Sequence, residues 1–211
     1  YIRIVIAGII FLLALLLTVP AALAEFDTAA LKADPELYVL ELPGSVDTAY
    51  RPVNQPYIGQ VDENFDGELV AYVDYLTLVD ADATVLRLMI ATVIYDAALN
   101  ADQLRLTVQG KTYTFTVTHV ESEYDGVYME DYTTCLVGDG LSMLKTIAQQ
   151  KKDDPIRVEL LSLGETMFSG LVIIPGEEAA RLYDRWIDLD GKKQNLKVLE
   201  EVWPCKVEKV K

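Results

Sequence analysis

The sequence predicts an α+β fold. Its antiparallel sheet is built from hairpins, and two or three amphipathic helices pack on it. A sandwich-like arrangement of the sheet is one form of this prediction. Two observations support this class. Residues 69–137 hold short apolar runs that alternate with polar residues and are separated by Gly or Asp turns. After Asp139, apolar residues recur at spacings of three and four. The hydrophobic content of 51% is that of a folding chain rather than a disordered acidic one.

The first 24 residues have the pattern of a secretory signal. A basic start precedes an apolar run from Ile4 to Val19, and small residues stand at Ala22 and Ala24. We expect cleavage after Ala24 and a secreted, cell-surface or periplasmic protein. The alternative is an uncleaved membrane anchor, because the apolar stretch is long enough to span a bilayer. Membrane contact is expected only through this segment, and only if it is uncleaved.

The remaining chain divides into an N-terminal arm, residues 25–56, and a single α+β domain, residues 57–211. Asp27 is placed to cap a short helix through Ala33, and Glu36–Leu42 has the character of a strand. Proline, glycine and asparagine then punctuate a loop that leads into the domain.

Two long strands are predicted first in the domain, at Leu69–Val79 and Val85–Tyr95. The second run is apolar at successive positions, which is typical of a central strand covered on both faces. A buried helix is the alternative for this run, because periodicity alone does not separate the two.

A β-hairpin is the clearest local pattern. Leu104–Val108 and Tyr113–His119 alternate apolar and polar residues on either side of the turn Gln109-Gly110-Lys111. Asp125-Gly126 is a second turn signal and leads into another strand, Val127–Val137.

Helices are predicted after these strands. Asp139 is placed to cap a helix that ends before Pro155, and Pro175 fits the first turn of a second helix. A last short helix is ended by Pro204. Between the first two helices, alternation predicts a further hairpin, with strands Ile156–Leu160 and Met167–Ile174 around a turn at Gly164.

The charge balance excludes one class of function. The net charge is −15, and it becomes −16 without residues 1–24, because these contain Arg3 and no acid. Nucleic-acid binding needs clustered cations, so we expect no nucleic-acid partner. One histidine and two cysteines are too few for an ordinary structural zinc site.

A short acidic loop resembles the start of a calcium-binding loop. Asp62, Asn64 and Asp66 supply oxygen ligands at positions 1, 3 and 5, and Gly67 follows. Position 12 is Val73 instead of the usual glutamate. These three residues are the candidate metal ligands, with calcium as the only candidate cofactor. The alternative is a plain Asx-type turn with Gly67 at a positive φ.

His119 is the only side chain with an ordinary pKa near neutrality. Glu121 and Glu123 follow at alternate positions, so a carboxylate is placed to orient the imidazole. We interpret His119 as a residue at the rim of the core; the alternative is the base of a hydrolase. Acidic residues cluster nearby, and we interpret them as a solvated hairpin tip, with a glycosidase-type carboxylate pair as the alternative. They are Glu121, Glu123, Asp125, Glu130 and Asp131.

The two cysteines leave two interpretations open. In an exported chain Cys135 and Cys205 favour a disulfide, which would close a loop of about 70 residues. The alternative is a buried thiol at Cys135 and a free, functionally silent one at Cys205.

The sequence assigns no catalytic residue. We expect an exported, non-catalytic envelope or extracellular module that binds a protein or a cell-surface ligand. The alternatives are a secreted hydrolase that uses carboxylates or His119, and a calcium-stabilised structural module.

Overall fold

A computed structural model describes residues 27–42, 44–95, 97–189, 191–194 and 196–210. The predicted signal segment, residues 1–24, lies outside these ranges. Among the described residues, no helix is both long enough and apolar enough to cross a bilayer.

Antiparallel strands make up about half of the molecule, and helices about a fifth. The α+β prediction is therefore confirmed, while the sandwich-like arrangement stays a prediction. The strands are β1 (Leu37–Glu41), β2 (Thr48–Pro52), β3 (Tyr57–Val61), β4 (Gly67–Leu78), β5 (Ala83–Tyr95), β6 (Gln103–Val108), β7 (Lys111–Thr116), β8 (Thr118–Tyr124), β9 (Val127–Leu136), β10 (Ile156–Ser162), β11 (Glu165–Val172) and β12 (Cys205–Lys209). The helices within the described ranges are α1 (Thr28–Lys32), α2 (Asp139–Ala148), α3 (Gly176–Asp188) and α4 (Lys197–Val202), with a 3-10 turn at Gly191–Lys193.

All described strands belong to one antiparallel sheet, in the order β12-β7-β6-β10-β11-β3-β4-β5-β9-β8, and β1 pairs with β2 beside β4. The short strand β3 joins the two halves of this sheet. Tyr57–Ile58 pairs with Val70–Ala71 of β4, whereas Gly59–Val61 pairs with Gly170–Val172 of β11. The sheet is continuous only through these few residues.

The half-sheet around β4, β5 and β9 has two faces, because alternate side chains point to opposite sides. The front face carries Tyr75, Leu88 and Tyr132 and forms the main core, together with α2, α3 and strands of the other half. Leu182 of α3 accepts a hydrogen bond from the Tyr75 hydroxyl at 3.2 Å, and buried Trp186 donates its indole N–H to the carbonyl of Thr84 at 2.9 Å.

The back face carries the residues between these positions. At one end, Val85 and Cys135 lie in a smaller buried cluster against Leu199 of α4, with Trp203 packed beside it. Further along the strands the back face becomes polar and then exposed. The back face is therefore only partly covered within the described part of the chain.

Most local predictions are confirmed. The strand runs at 69–79 and 85–95 correspond to β4 and β5, so Val85–Tyr95 is a strand and not a helix. Both Gly turns at 110 and 126 have two successive residues with positive φ, as two-residue hairpins require. Asp27 caps α1 by accepting from the Ala30 N–H at 3.0 Å.

One expectation differs from the structure. Asp139 is the first residue of α2 and makes no side-chain cap, because Gly138 occupies the N-cap position. The predicted arm contributes the strand β2, which pairs with β4 from Thr48 to Tyr50, and the domain boundary at residue 57 stays a prediction. The segment after Pro204 forms β12 on the edge of β7.

Candidate functional site

The β8–β9 hairpin positions the chemically most interesting side chains. The tight turn Asp125-Gly126 pairs Tyr124 with Val127, and this fixes the register of the whole hairpin. Further along, His119 lies opposite Tyr132 and Glu121 lies opposite Glu130. Partners in an antiparallel pair point to the same face, so these four side chains share the front face.

Three of them bring metal-ligand atoms together. One donor atom from each of His119, Glu121 and Glu130 lies within 4.8 Å of the other two. His119 and Glu121 are exposed on the edge strand, whereas Glu130 is fully buried. We call these three residues the His119 cluster. It combines one imidazole with two carboxylates, a donor set that suits a divalent cation.

A returning loop holds the buried end of the cluster. The Glu130 carboxylate accepts hydrogen bonds from the N–H groups of Leu99, at 2.9 Å, and Asn100, at 3.0 Å. The Tyr132 hydroxyl accepts a bond from the Ala101 N–H at 3.3 Å. Burial raises the pKa of Tyr132, so its hydroxyl stays neutral at physiological pH.

The His119 ring stacks on Tyr132, with a centroid distance of 5.7 Å and an angle of 25° between the ring planes. The sequence placed His119 on the apolar face of Tyr113–Thr118, but the strand is interrupted at Val117, whose N–H donates to Asp102. His119 therefore belongs to β8 and is exposed. Its ring covers the buried Tyr132, and in this respect alone His119 lies at the rim of the core, as predicted.

The five acidic residues that the sequence groups together do not form one cluster in the structure. Glu121, Glu123 and Asp125 are exposed at the hairpin, as a solvated tip would be. Glu130 is buried on the front face, and Asp131 lies on the back face opposite Ala91 and Val120. The pairing of Glu121 with Glu130 was not predicted. Counting residues outward from the Asp125-Gly126 turn along both strands gives this register. The hydrolase alternative stays a prediction.

The same hairpin carries an apolar surface on its back face. Large exposed apolar side chains from β3, β5, β8 and β9 lie there, together with the half-buried Val93 of β5, and we call them the apolar patch. Its members are Ile58, Val93, Tyr95, Val120, Tyr124 and Met129. Ile58 is 80% exposed, Tyr124 is 78% and Val120 is 71%. A group of large exposed apolar side chains on one sheet face is a candidate contact surface for another molecule.

A buried ion network lies between the apolar patch and the smaller core cluster. Asp74 accepts hydrogen bonds from Arg87 at 2.8 and 2.7 Å and from Arg51 at 3.0 Å. The Arg51 guanidinium also lies 3.9 Å from the centre of the Tyr72 ring. These cations are paired and buried, so they give the patch no exposed positive charge.

Exposed acids, in contrast, lie within the patch. Glu68 pairs with Val93, and Asp131 pairs with Ala91, so both carboxylates stand among apolar side chains. Desolvation by these neighbours raises the pKa of Asp131, even though the residue is exposed. The patch therefore has an acidic character.

The predicted calcium ligands lie in the turn between β3 and β4. Asp62 already has two partners, since its carboxylate lies 2.6 Å from the Arg157 guanidinium and accepts from the Ser169 hydroxyl. These hydrogen bonds, with that of Ser169 the largest cause, lower the pKa of Asp62. Asn64 and Asp66 are exposed. The calcium site stays a prediction, and the Arg157 guanidinium already lies beside Asp62, its first ligand.

Gly67 follows this turn and has a φ of 151°. A Cβ at this position would lie 2.3 Å from the Val93 carbonyl oxygen, so the close approach of β4 and β5 requires glycine. The positive φ expected for the plain turn is confirmed.

The predicted disulfide is not present, because Cys135 and Cys205 are both free thiols. Cys135 packs in the smaller back-face cluster, whereas Cys205 packs against the main core on β12. Burial raises the pKa of each thiol to about 12. Both thiols are therefore protonated at neutral pH, and we expect them to react slowly.

A cleft of about 310 Å³ lies between the N-terminal arm and α3. Its charged groups bind one another: Arg185 pairs with Asp34 at 2.9 Å, and Arg181 pairs with Glu36 and Glu178. These pairs fasten the arm to α3, and Asp184 and Asp188 also line the cleft.

Comparison with protein-family models, with curated proteins and with solved structures gives no match for this chain.

Proposed function

We propose that the chain is an exported, non-catalytic module that binds another protein through the apolar patch. The observation that carries this proposal is the exposure of Ile58, Val120 and Tyr124 on one sheet face. Export is supported by the sequence pattern of residues 1–24 alone.

The charges around the patch specify the partner's chemistry. Glu68 and Asp131 are exposed acids within it, and Arg51 is buried and paired with Asp74. The whole chain has a net charge of −15. Complementarity therefore favours a protein whose contact surface is apolar and rimmed with lysine and arginine.

Two other occupants fit less well. A second copy of the chain would bring together two acidic surfaces, each on a chain of net charge −15. The N-terminal segment enters the described structure at Asp27, before α1. There the Ala30 carbonyl accepts a hydrogen bond from Arg185 of α3, which packs on the front face. The helix α1 therefore lies on the opposite face of the sheet from the apolar patch.

Defined peptides test the proposal. The probe is a labelled amphipathic peptide of leucine and lysine, and its twin has glutamate in place of every lysine. We expect the lysine peptide to bind at least about tenfold more tightly, and its affinity to fall as salt is raised. The variants Val120→Lys and Tyr124→Lys should weaken this binding by about tenfold or more, measured by fluorescence anisotropy.

The matched control is Leu163→Lys. Leu163 is 93% exposed in the β10–β11 turn, so its replacement makes the same charge change outside the patch. Equal binding by Val120→Lys and Leu163→Lys would overturn the proposal. So would a dimer in sedimentation that Val120→Lys disperses, or patch-dependent binding to phosphatidylcholine vesicles without binding to the peptide.

A further inference from the structure

The buried carboxylate of Glu130 has no opposite charge paired with it among the described residues. It is fully buried, and none of the ion pairs among the described residues includes it or Glu121. Its carboxylate accepts hydrogen bonds from the neutral N–H groups of Leu99 and Asn100. Buried charges in proteins are normally paired with an opposite charge or coordinate a metal.

The register of the hairpin adds to this cost. Glu121 lies directly opposite Glu130, and like charges at such positions repel each other. A cation between the two carboxylates would remove both the repulsion and the unpaired buried charge. The third member of the cluster, His119, can contact the same cation, because a neutral imidazole is a good metal ligand.

His119 is held where it can act as that ligand. Its ring stacks on Tyr132, which is fully buried and anchored by the Ala101 N–H. This stacking limits the rotation of the imidazole and keeps it beside Glu121 and Glu130. The cluster thus joins a buried carboxylate, an imidazole stacked on Tyr132 and an exposed carboxylate.

We propose that His119, Glu121 and Glu130 bind one divalent transition cation of the Zn²⁺ type. One nitrogen and two carboxylate oxygens match zinc, whereas Ca²⁺ and Mg²⁺ prefer oxygen ligands alone. Zinc ligands lie about 3.4 Å apart, and the three ligand atoms here all lie within 4.8 Å of one another. Any closer approach falls mainly to the exposed Glu121 carboxylate, because Glu130 is buried and His119 is stacked on Tyr132.

The site has a consequence for β8. All of this strand is exposed, and it pairs only with β9 within the described residues. A cation that bridges β8 to Glu130 would fasten the edge strand to the core and to the Leu99–Ala101 loop. Three protein ligands also leave a coordination position for water or for a side chain of another molecule.

The test uses the full chain, freed of metal with a chelator and titrated with Zn²⁺ against a chromophoric competitor. His119 is the single histidine, so its imidazole gives one unambiguous set of NMR signals. We expect these signals to shift with one equivalent of Zn²⁺ and to stay unchanged with Ca²⁺ or Mg²⁺. His119→Ala and Glu121→Gln should each weaken Zn²⁺ binding by about tenfold or more.

Glu123→Gln is the matched control, because it removes the same charge from the same strand outside the cluster. It should change the affinity by less than about threefold. All three variants change exposed residues and should keep the wild-type fold, as circular dichroism would verify. Zinc binding that survives His119→Ala, or His119 signals that do not move with Zn²⁺, would overturn the proposal.

Discussion

Arg87 donates two hydrogen bonds to Asp74, at 2.8 and 2.7 Å, and both side chains are at most 5% exposed. Arg51 shares the same carboxylate. One buried acid therefore compensates two buried cations, and the network depends on Asp74 more than on either arginine.

We expect Asp74→Asn to lower the free energy of unfolding by about 3–5 kcal/mol, because it leaves two buried guanidinium groups without a counter-charge. Urea denaturation followed by circular dichroism measures this. Asp80→Asn, in the exposed turn before β5, is the control and should change stability by less than about 0.5 kcal/mol. Equal effects of the two substitutions would contradict the role assigned to Asp74.

Asp62 predicts a pH dependence. Its pKa is lowered in the folded state, so its contribution is fully present above the unfolded pKa of about 3.9 and is lost as the pH falls through the folded pKa. Asp62→Asn should therefore cost about 1 kcal/mol at neutral pH, since the pair with Arg157 is partly exposed, and less below about pH 4. Denaturant melts across the pH range measure the difference.

Asp66→Asn is the control for this series, because Asp66 is an exposed carboxylate in the same loop. Its effect should stay below about 0.5 kcal/mol at every pH. A constant cost of Asp62→Asn down to the most acidic pH at which the protein folds would contradict the lowered pKa.

The free thiols predict a chemical result. With a pKa of about 12, Cys135 and Cys205 are almost entirely protonated at about pH 8. A thiol reagent such as dithionitrobenzoate should therefore not react with the folded chain and should label both cysteines in concentrated guanidinium chloride. Prior treatment with a reductant should change neither result. If the denatured chain reacted only after reduction, the two cysteines would be joined by a disulfide and the prediction would be wrong.

Gly67→Ala should destabilise the protein by about 2 kcal/mol or more, because the new Cβ meets the Val93 carbonyl oxygen. Gly126→Ala is the control. That residue also has a positive φ, of 78°, but nothing lies within 4 Å of its Cβ position, so we expect about 1 kcal/mol. Thermal unfolding compares the two variants, and equal losses would show that the close approach to Val93 is relieved elsewhere.

The hairpins were predictable because their information is local. The alternation at Leu104–Val108 and the turn at Gly110 specify β6 and β7 without reference to the rest of the chain. The strand β12 was missed for the opposite reason. Cys205–Lys209 is short and mostly charged, and only the available edge of β7 makes it a strand.

The candidate sites show the same division. The residues of the calcium-like turn and His119 stood out in the sequence, but their partners did not. Arg157 reaches Asp62 from a strand far along the chain, and Leu99 covers Glu130 from a loop. The apolar patch was not predicted, because alternation marks two faces of a strand without saying which of them stays uncovered.

The joint at β3 has a consequence for vectorial synthesis. Tyr57–Ile58 has its partner β4 soon after it leaves the ribosome, whereas Gly59–Val61 must wait until β11 has been made. Until then, the nascent chain presents an unpaired strand edge, which other chains can pair with. Arrival of the β10–β11 hairpin closes that edge, so the step that unites the sheet has to wait for the synthesis of β11.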